Sequence, residues 1–227
     1  MNFFDNIRMT PETWDQTENL LLLVLLFNLA MCLVGLAVAY LGEKPSVFLK
    51  EPTGELPFVS WMLFWPMHLY SNLVWRYWRH ATREPVFCEV MPRLYLGRRL
   101  GYNERERLAP LGELAVVDLT AEFAEPQFIR EENYYLCLPT LDLTAPSYHD
   151  TRAALEFIHG HRAKRPVYVH CALGHGRAAF IVLLYAVQQG HFASLEEGYA
   201  RLKSLRYGVH LTRAQLREAR KILAANQ

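Results

Sequence analysis

The run from Leu20 to Leu41, LLLLVLLFNLAMCLVGLAVAYL, carries no charge, and Asn28 is its one clearly polar side chain. At 1.5 Å per residue a helix over this run reaches about 33 Å, enough to cross a ~30 Å hydrocarbon core. A helix buried in a soluble core rarely goes so far without a charge, so a transmembrane helix is expected at 20–41. The competing reading is a signal peptide, for which Ala37-Val38-Ala39 offers a small-residue cleavage site. Two features oppose it: the apolar run exceeds the usual ~7–15 residue core, and the preceding flank (Asp5, Glu12, Asp15, Glu18) is acidic rather than basic.

A second apolar stretch, Pro57 to Trp75, holds Trp61, Trp65 and Trp75 but is interrupted by Pro66 and His68. It reads as a second, shorter span or as an interfacial segment anchored by tryptophans. Arg76, Arg79 and Arg83 follow it, and by the positive-inside tendency that flank is cytoplasmic. Two spans would put both termini in the cytoplasm, and one span only the C-terminal part. Residues 1–83 are therefore expected to form a membrane region, and residues 84–227, beginning at Glu84-Pro85, a cytosolic domain.

Composition narrows what that domain does. Lys and Arg number 24 against 23 Asp and Glu, a formal net charge of +1, without the positive field a nucleic-acid binder needs. The cysteines at 32, 88, 137 and 171 match neither a zinc motif nor a compact disulfide framework, so reduced thiols are expected.

From Phe87 onward, strand-like and helix-like segments alternate. Phe87–Leu96 reads as an edge strand or hairpin broken at Pro92, and Asn103 as the cap of a short charged helix. Ala115–Leu119, Tyr134–Leu138 and Val167–His170 read as buried strands. A helix starts at Ser147 with Ala153, Leu155, Phe157 and Ile158 facing inward. Ala178–Gln188 is an apolar helix too short to span a bilayer, and Ser194-x-x-Glu197 and Thr212-x-x-Gln215 are capping boxes opening two more. This alternation predicts an α/β fold, a mixed sheet flanked by helices.

The chemistry concentrates in VYVHCALGHGRAA. Here Cys171 and Arg177 bracket five residues between an apolar strand and an apolar helix. A glycine-containing strand–loop–helix turn lets successive N–H groups converge into an anion cradle, reinforced by the helix N-terminus. Arg177 can close the ring with a fork suited to two phosphate oxygens, and Cys171 beneath a bound phosphate becomes a thiolate nucleophile. The candidate ligand groups are His170, Ala172, Leu173, Gly174, His175 and Gly176. His175 reads equally as added positive charge or as loop filler. A leaving alkoxide also needs a proton donor from a neighbouring loop. Asp142, 29 residues before Cys171, is favoured over Asp118, which ends a strand, and Asp150, which falls in a helix's first turn. His159-Gly160-His161 reads as a solvated helix end rather than a metal site.

These segments, with EVMPRLYLG, AVVDLT and LPTLDLT, make the region from about 86 to 225 resemble the dual-specificity branch of the protein tyrosine phosphatase superfamily. The acid-before-cysteine order fits poorly with the low-molecular-weight tyrosine phosphatases. LDLTAPS and the terminal helices are similar to phosphatidylglycerophosphate phosphatase-like members. The resemblance implies a cysteinyl-phosphate intermediate formed on Cys171, with Asp142 as acid and then base. Arg177 and the loop amides would hold the equatorial oxygens, His170 would orient the cysteine, and no metal or cofactor is needed. The family usually places Ser or Thr after the arginine, where this chain has Ala178. The expected substrate is a phosphorylated lipid, with a phosphoprotein as the alternative. A membrane-tethered, phosphate-binding pseudophosphatase is the third reading, which Ala178 favours and the intact Cys171, Asp142 and Arg177 oppose.

Overall fold

A computed structural model describes the backbone of residues 11–225 and the side chains of residues 18–225. Of the acidic N-terminal flank, Asp5 lies outside the described residues, as do the side chains of Glu12 and Asp15. Helix α1 (Pro11–Leu41) contains the apolar run. From Glu18 to Leu41 its mean hydropathy is 2.8, and its large side chains from Leu20 to Phe27 are open on all sides. Among the described residues it is the one helix long and apolar enough to cross a membrane.

The stretch expected as a second span lies within α2 (Phe58–Ala81), which departs from helical geometry at Phe64, two residues before Pro66. This helix lies on the rest of the chain. Ser60, Phe64, Met67, His68 and Trp75 are buried, His68 Nδ1 sits 3.1 Å from the Glu122 carbonyl, and Trp75 packs against Phe123. The alternation of apolar and polar residues thus records packing against protein, and the two-span expectation reduces to one helix of spanning character.

Five strands follow: β1 (Phe87–Met91), β2 (Leu94–Arg98), β3 (Ala115–Thr120), β4 (Tyr134–Thr140) and β5 (Val167–Cys171). They order as β1-β2-β5-β3-β4, parallel except for the β1–β2 hairpin. The intervening helices are α3 (Gln127–Glu132), α4 (Tyr148–Arg162), α5 (Arg177–Gln188), α6 (Leu195–Leu205) and α7 (Arg213–Ala225). The charged segment after Asn103 forms two 3-10 turns, Arg105–Arg107 and Ala109–Leu111, rather than a capped α-helix. Pro110 inside so short a segment removes the donor that a further helical turn requires.

Alternation along the strands separates two cores. Ala115, Val117, Leu119, Val167, Val169 and Cys171 face the helices around α5, whose residues from Arg177 to Ala186 are all buried. Val116 and Tyr168 face the opposite layer with Leu100, Leu114 and Ile129. Helix α4 buries Thr151, Ala154 and Ile158, whereas the expected inward residues Ala153, Leu155 and Phe157 are only partly covered. A third cluster joins Cys32 and Ala39 of α1 and Phe64 and Met67 of α2 to Ala121 and Leu141 beyond the sheet. Glu84 does separate α2 from β1, but packing and ion pairs cross that boundary: Lys50, between α1 and α2, lies 2.5 Å from Asp118 on β3.

Candidate active site

The loop after β5 has a specific hydrogen-bond economy. Its carbonyls are bound from outside: the Arg99 N–H donates to Cys171 O at 2.7 Å and Ala172 O at 3.2 Å. Arg206 Nη2 donates to Leu173 O at 3.0 Å, and the His210 N–H to His175 O at 3.0 Å. With the carbonyls so engaged, no N–H from residues 172 to 177 donates to an acceptor among the described residues. Amides left unpaired before and at the N-terminus of α5 are donors available to an oxyanion. Gly174, at φ 74°, makes the turn possible, because a Cβ there would fall 2.4 Å from the Gly97 carbonyl oxygen.

Arg177 opens α5 and is fully buried. Nη1 and Nη2 donate to the two carboxylate oxygens of Glu122 at 2.9 and 2.7 Å, and Nη1 also reaches Thr140 O at 2.8 Å. Nε has no partner among the described residues. The two-oxygen fork expected for phosphate is therefore turned: Glu122 takes the Nη1–Nη2 edge, Nη2 also faces Asp142, and Nε alone is left without a partner among the described residues. Burial would raise the Glu122 carboxyl, but the charge and hydrogen bonds of Arg177 outweigh it and hold it below the usual range.

Asp142 follows β4 and approaches the same guanidinium, with Oδ1 3.2 Å from Arg177 Nη2, while remaining largely exposed. Its loop is tied down by α7, since Gln215 Nε2 donates to Thr144 O at 2.8 Å within a complete Thr212–Gln215 capping box. The rival acids are committed elsewhere. Asp150 caps α4 with Ser147. Asp118 is buried against Lys50, Tyr135 and Thr120. Cys171 ends β5, Arg177 opens α5 and Asp142 follows β4 to the Arg177 guanidinium, all at the carboxyl ends of the parallel strands, where open α/β sheets bind ligands.

The histidines behave differently from one another. His175 Nε2 lies 2.6 Å from Glu84 Oε2, and Glu84 also accepts from the Gly208 N–H and from Arg206, so this ring braces the loop from outside. Burial pushes the Glu84 carboxyl up, but His175, the Gly208 amide and Arg206 together hold it below its ordinary value. His170 stacks on Tyr168 and faces Glu125 at 3.7 Å, and neither ring nitrogen has a hydrogen-bond partner among the described residues. Burial lowers its pKa to about 4. Glu125, buried and close to Asp118, is pushed up to about 8. Asp118, Glu125 and His170 place ligand atoms within 4.8 Å of one another, but the Lys50 ammonium already supplies the positive charge at Asp118. This cluster is a buried polar network beneath β5 whose charged pair is Asp118 and Lys50. Cys137, beside it, is raised to about 12 by burial and by Asp118, which makes it a poor thiolate; all four cysteines are unpaired.

Three residues of this site escape sequence reasoning: Glu122, Glu84 and Lys50. Glu122 had a weak signal, an acid two residues past the end of a buried strand. The other two act across the chain and have none.

No family model matches the sequence, and no curated protein matches it. Solved structures do. Tk-PTP in its active form aligns at TM-score 0.55 and 25% identity, over 61% of this chain and 96% of its own. PTPMT1 in complex with PI(5)P aligns at 0.55 and 21%, over 63% and 99%. The human tyrosine phosphatase-like serine/threonine/tyrosine-interacting protein aligns at 0.54 and 21%, over 64% and 99%. The chain has the fold of the dual-specificity and tyrosine phosphatases, and its enzyme class is that of a phosphoric monoester hydrolase.

Proposed function

We propose that the chain is a membrane-anchored, cysteine-dependent phosphatase acting on a lipid phosphate monoester, with its catalytic domain on the cytoplasmic side. The observation that carries the chemistry is that the amides from 172 to 177 and the Arg177 Nε have no partner among the described residues. These donors match the equatorial oxygens of a phosphoryl group in transit and need no reorganisation as charge builds. In the first step the Cys171 sulfur bonds to phosphorus, the ester P–O bond breaks, and Asp142 gives its proton to the leaving oxygen. In the second, water bonds to phosphorus while Asp142 takes its proton, the P–S bond breaks, and phosphate and thiolate are released. Chain groups supply all the charge stabilisation, so no cofactor enters the scheme.

The lipid assignment rests on α1, whose open apolar surface would hold the domain at a bilayer, where headgroups are concentrated. The loop also lacks a lysine beside the cysteine, having Ala172 and Leu173 there, so a single phosphomonoester suits it better than a multiply charged headgroup. The test is a panel of phospholipid monoesters, phosphopeptides and sugar phosphates, assayed with the full chain in phosphatidylcholine nanodiscs. Cys171→Ser serves as the control. Preference for phosphopeptides would overturn the lipid reading, and turnover no faster than Cys171→Ser on every substrate would leave a binding module.

A further inference from the structure

A cavity of about 440 Å³ runs between the two N-terminal helices and ends at the catalytic acid loop. Leu29, Leu33 and Leu36 of α1 and Met67 and Val74 of α2 form its apolar walls. Its floor carries Glu122 and Asp142, the two carboxylates in contact with Arg177. The α1 wall from Leu29 to Tyr40 is about 17 Å long, close to half of the ~30 Å hydrocarbon core and so to the depth of one leaflet. That wall belongs to a segment with mean hydropathy 2.8 whose outer face is open, so the groove is continuous with the surface α1 offers to lipid.

An occupant has to satisfy both ends at once. The walls select an alkyl chain, and beyond the Glu122–Asp142 floor the Arg177 Nε and the amides of residues 172–177 select an oxyanion. We infer that the groove between α1 and α2 receives one acyl chain of the lipid phosphate and delivers its phosphoryl group to Cys171. This inference rests on the phosphatase reading above and adds to it a chain-binding subsite built by the anchor itself. It also gives the packing of α2 on the domain a purpose, since a helix crossing the bilayer independently would leave the groove without its second wall.

The full chain in phosphatidylcholine nanodiscs is assayed with phenyl phosphate and with butyl, octyl and dodecyl phosphates. Each methylene entering the groove should raise kcat/KM about fourfold, equivalent to about 0.8 kcal/mol, until the groove is full. Ser71→Trp, at the groove wall, should cut the dodecyl-to-butyl ratio at least tenfold. Leu25→Trp, outside the groove on exposed α1, should leave that ratio intact. An unchanged ratio in Ser71→Trp means that partition into the bilayer produces the chain-length effect, and it overturns the subsite. If wild type hydrolyses phenyl phosphate and Cys171→Ser does not, the phosphatase reading stands whatever the alkyl series shows; if wild type does not, both fall. Should Ser71→Trp fail to fold, Cys171→Ser carrying dodecyl phosphate with a terminal diazirine provides the second measurement. Labelling within 29–40 or 66–74 supports the subsite, and labelling confined elsewhere overturns it.

Discussion

Lys50→Met is expected to destabilise the region from 84 to 227 although Lys50 lies outside it in sequence. Its ammonium is fully buried and donates to Asp118 Oδ2 at 2.5 Å, Thr120 O at 2.8 Å and Thr120 Oγ1 at 2.9 Å. Burial would lower the lysine's pKa, but Asp118 outweighs it, so the group stays charged; the same pairing holds Asp118 well below the ordinary aspartate range. Methionine matches the length and removes the charge. Asp118 then keeps only uncharged donors, from Tyr135 and Thr120, and loses its ammonium partner. Breaking one side of a buried pair costs about 3–5 kcal/mol, and the remaining donors place this case near 3. For a chain of this size that is a fall in melting temperature of about 6–12 °C, read by circular dichroism on the full chain in nanodiscs. Adding Asp118→Asn to Lys50→Met should recover at least half the loss, because no uncompensated charge remains. A fall below about 3 °C, or no recovery in the double variant, would refute the reasoning. By the same argument a protein beginning at residue 84 should melt at least about 6–12 °C below the full chain.

Four further outcomes are expected. Ala178→Ser restores a hydroxyl beside the phosphocysteine; such a charge-assisted hydrogen bond contributes about 1.5 kcal/mol, or about tenfold in the hydrolysis step. Wild type should therefore show a product burst in stopped-flow assays that Ala178→Ser diminishes. Gly174→Ala drives a methyl against the Gly97 carbonyl and should lower kcat/KM about 10²-fold, with the melt showing whether folding survives. Glu122→Gln leaves Asp142 as the only carboxylate on Arg177, drawing the acid from its leaving group, so kcat should fall more than KM rises in steady-state assays. Glu125 keeps its proton to about pH 8 when folded and loses it near 4.5 when unfolded. Between those values the folded state binds one more proton, so stability is lost as pH rises, by on the order of 1.4 kcal/mol per unit. His170 is neutral in the folded state but titrates near 6.5 when unfolded, which adds an opposing slope around that pH; urea midpoints taken from about pH 7 to 8, compared between wild type and Glu125→Gln, read the Glu125 contribution as the difference in slope.

What the sequence makes legible here is what is local. The phosphate loop, the buried α5 and the β1–β2 hairpin announce themselves through contiguous residues: glycines at a turn, an unbroken apolar run, Pro92 between two strand-like stretches. The position of Asp142 beside Arg177 is legible because one helix and one strand fit between it and Cys171. The partners of these groups are not, because ion pairing depends on which segments the fold brings together. Lys50 meets Asp118 across 68 residues, and Glu84 meets Arg206 across 122. Helix α2 misleads for a related reason: apolar residues that cover a protein face and apolar residues that face acyl chains have the same composition. Only partners such as the Glu122 carbonyl at His68 distinguish them.

Glu84 ends the segment leading out of α2 and also braces the oxyanion loop through His175, Arg206 and the Gly208 amide. The position of that helix is therefore tied to the loop's geometry twice, through Glu84 and through His68 at the Glu122 carbonyl. A foreign membrane tether would have to be joined upstream of α1, leaving Lys50, α2 and Glu84 in place.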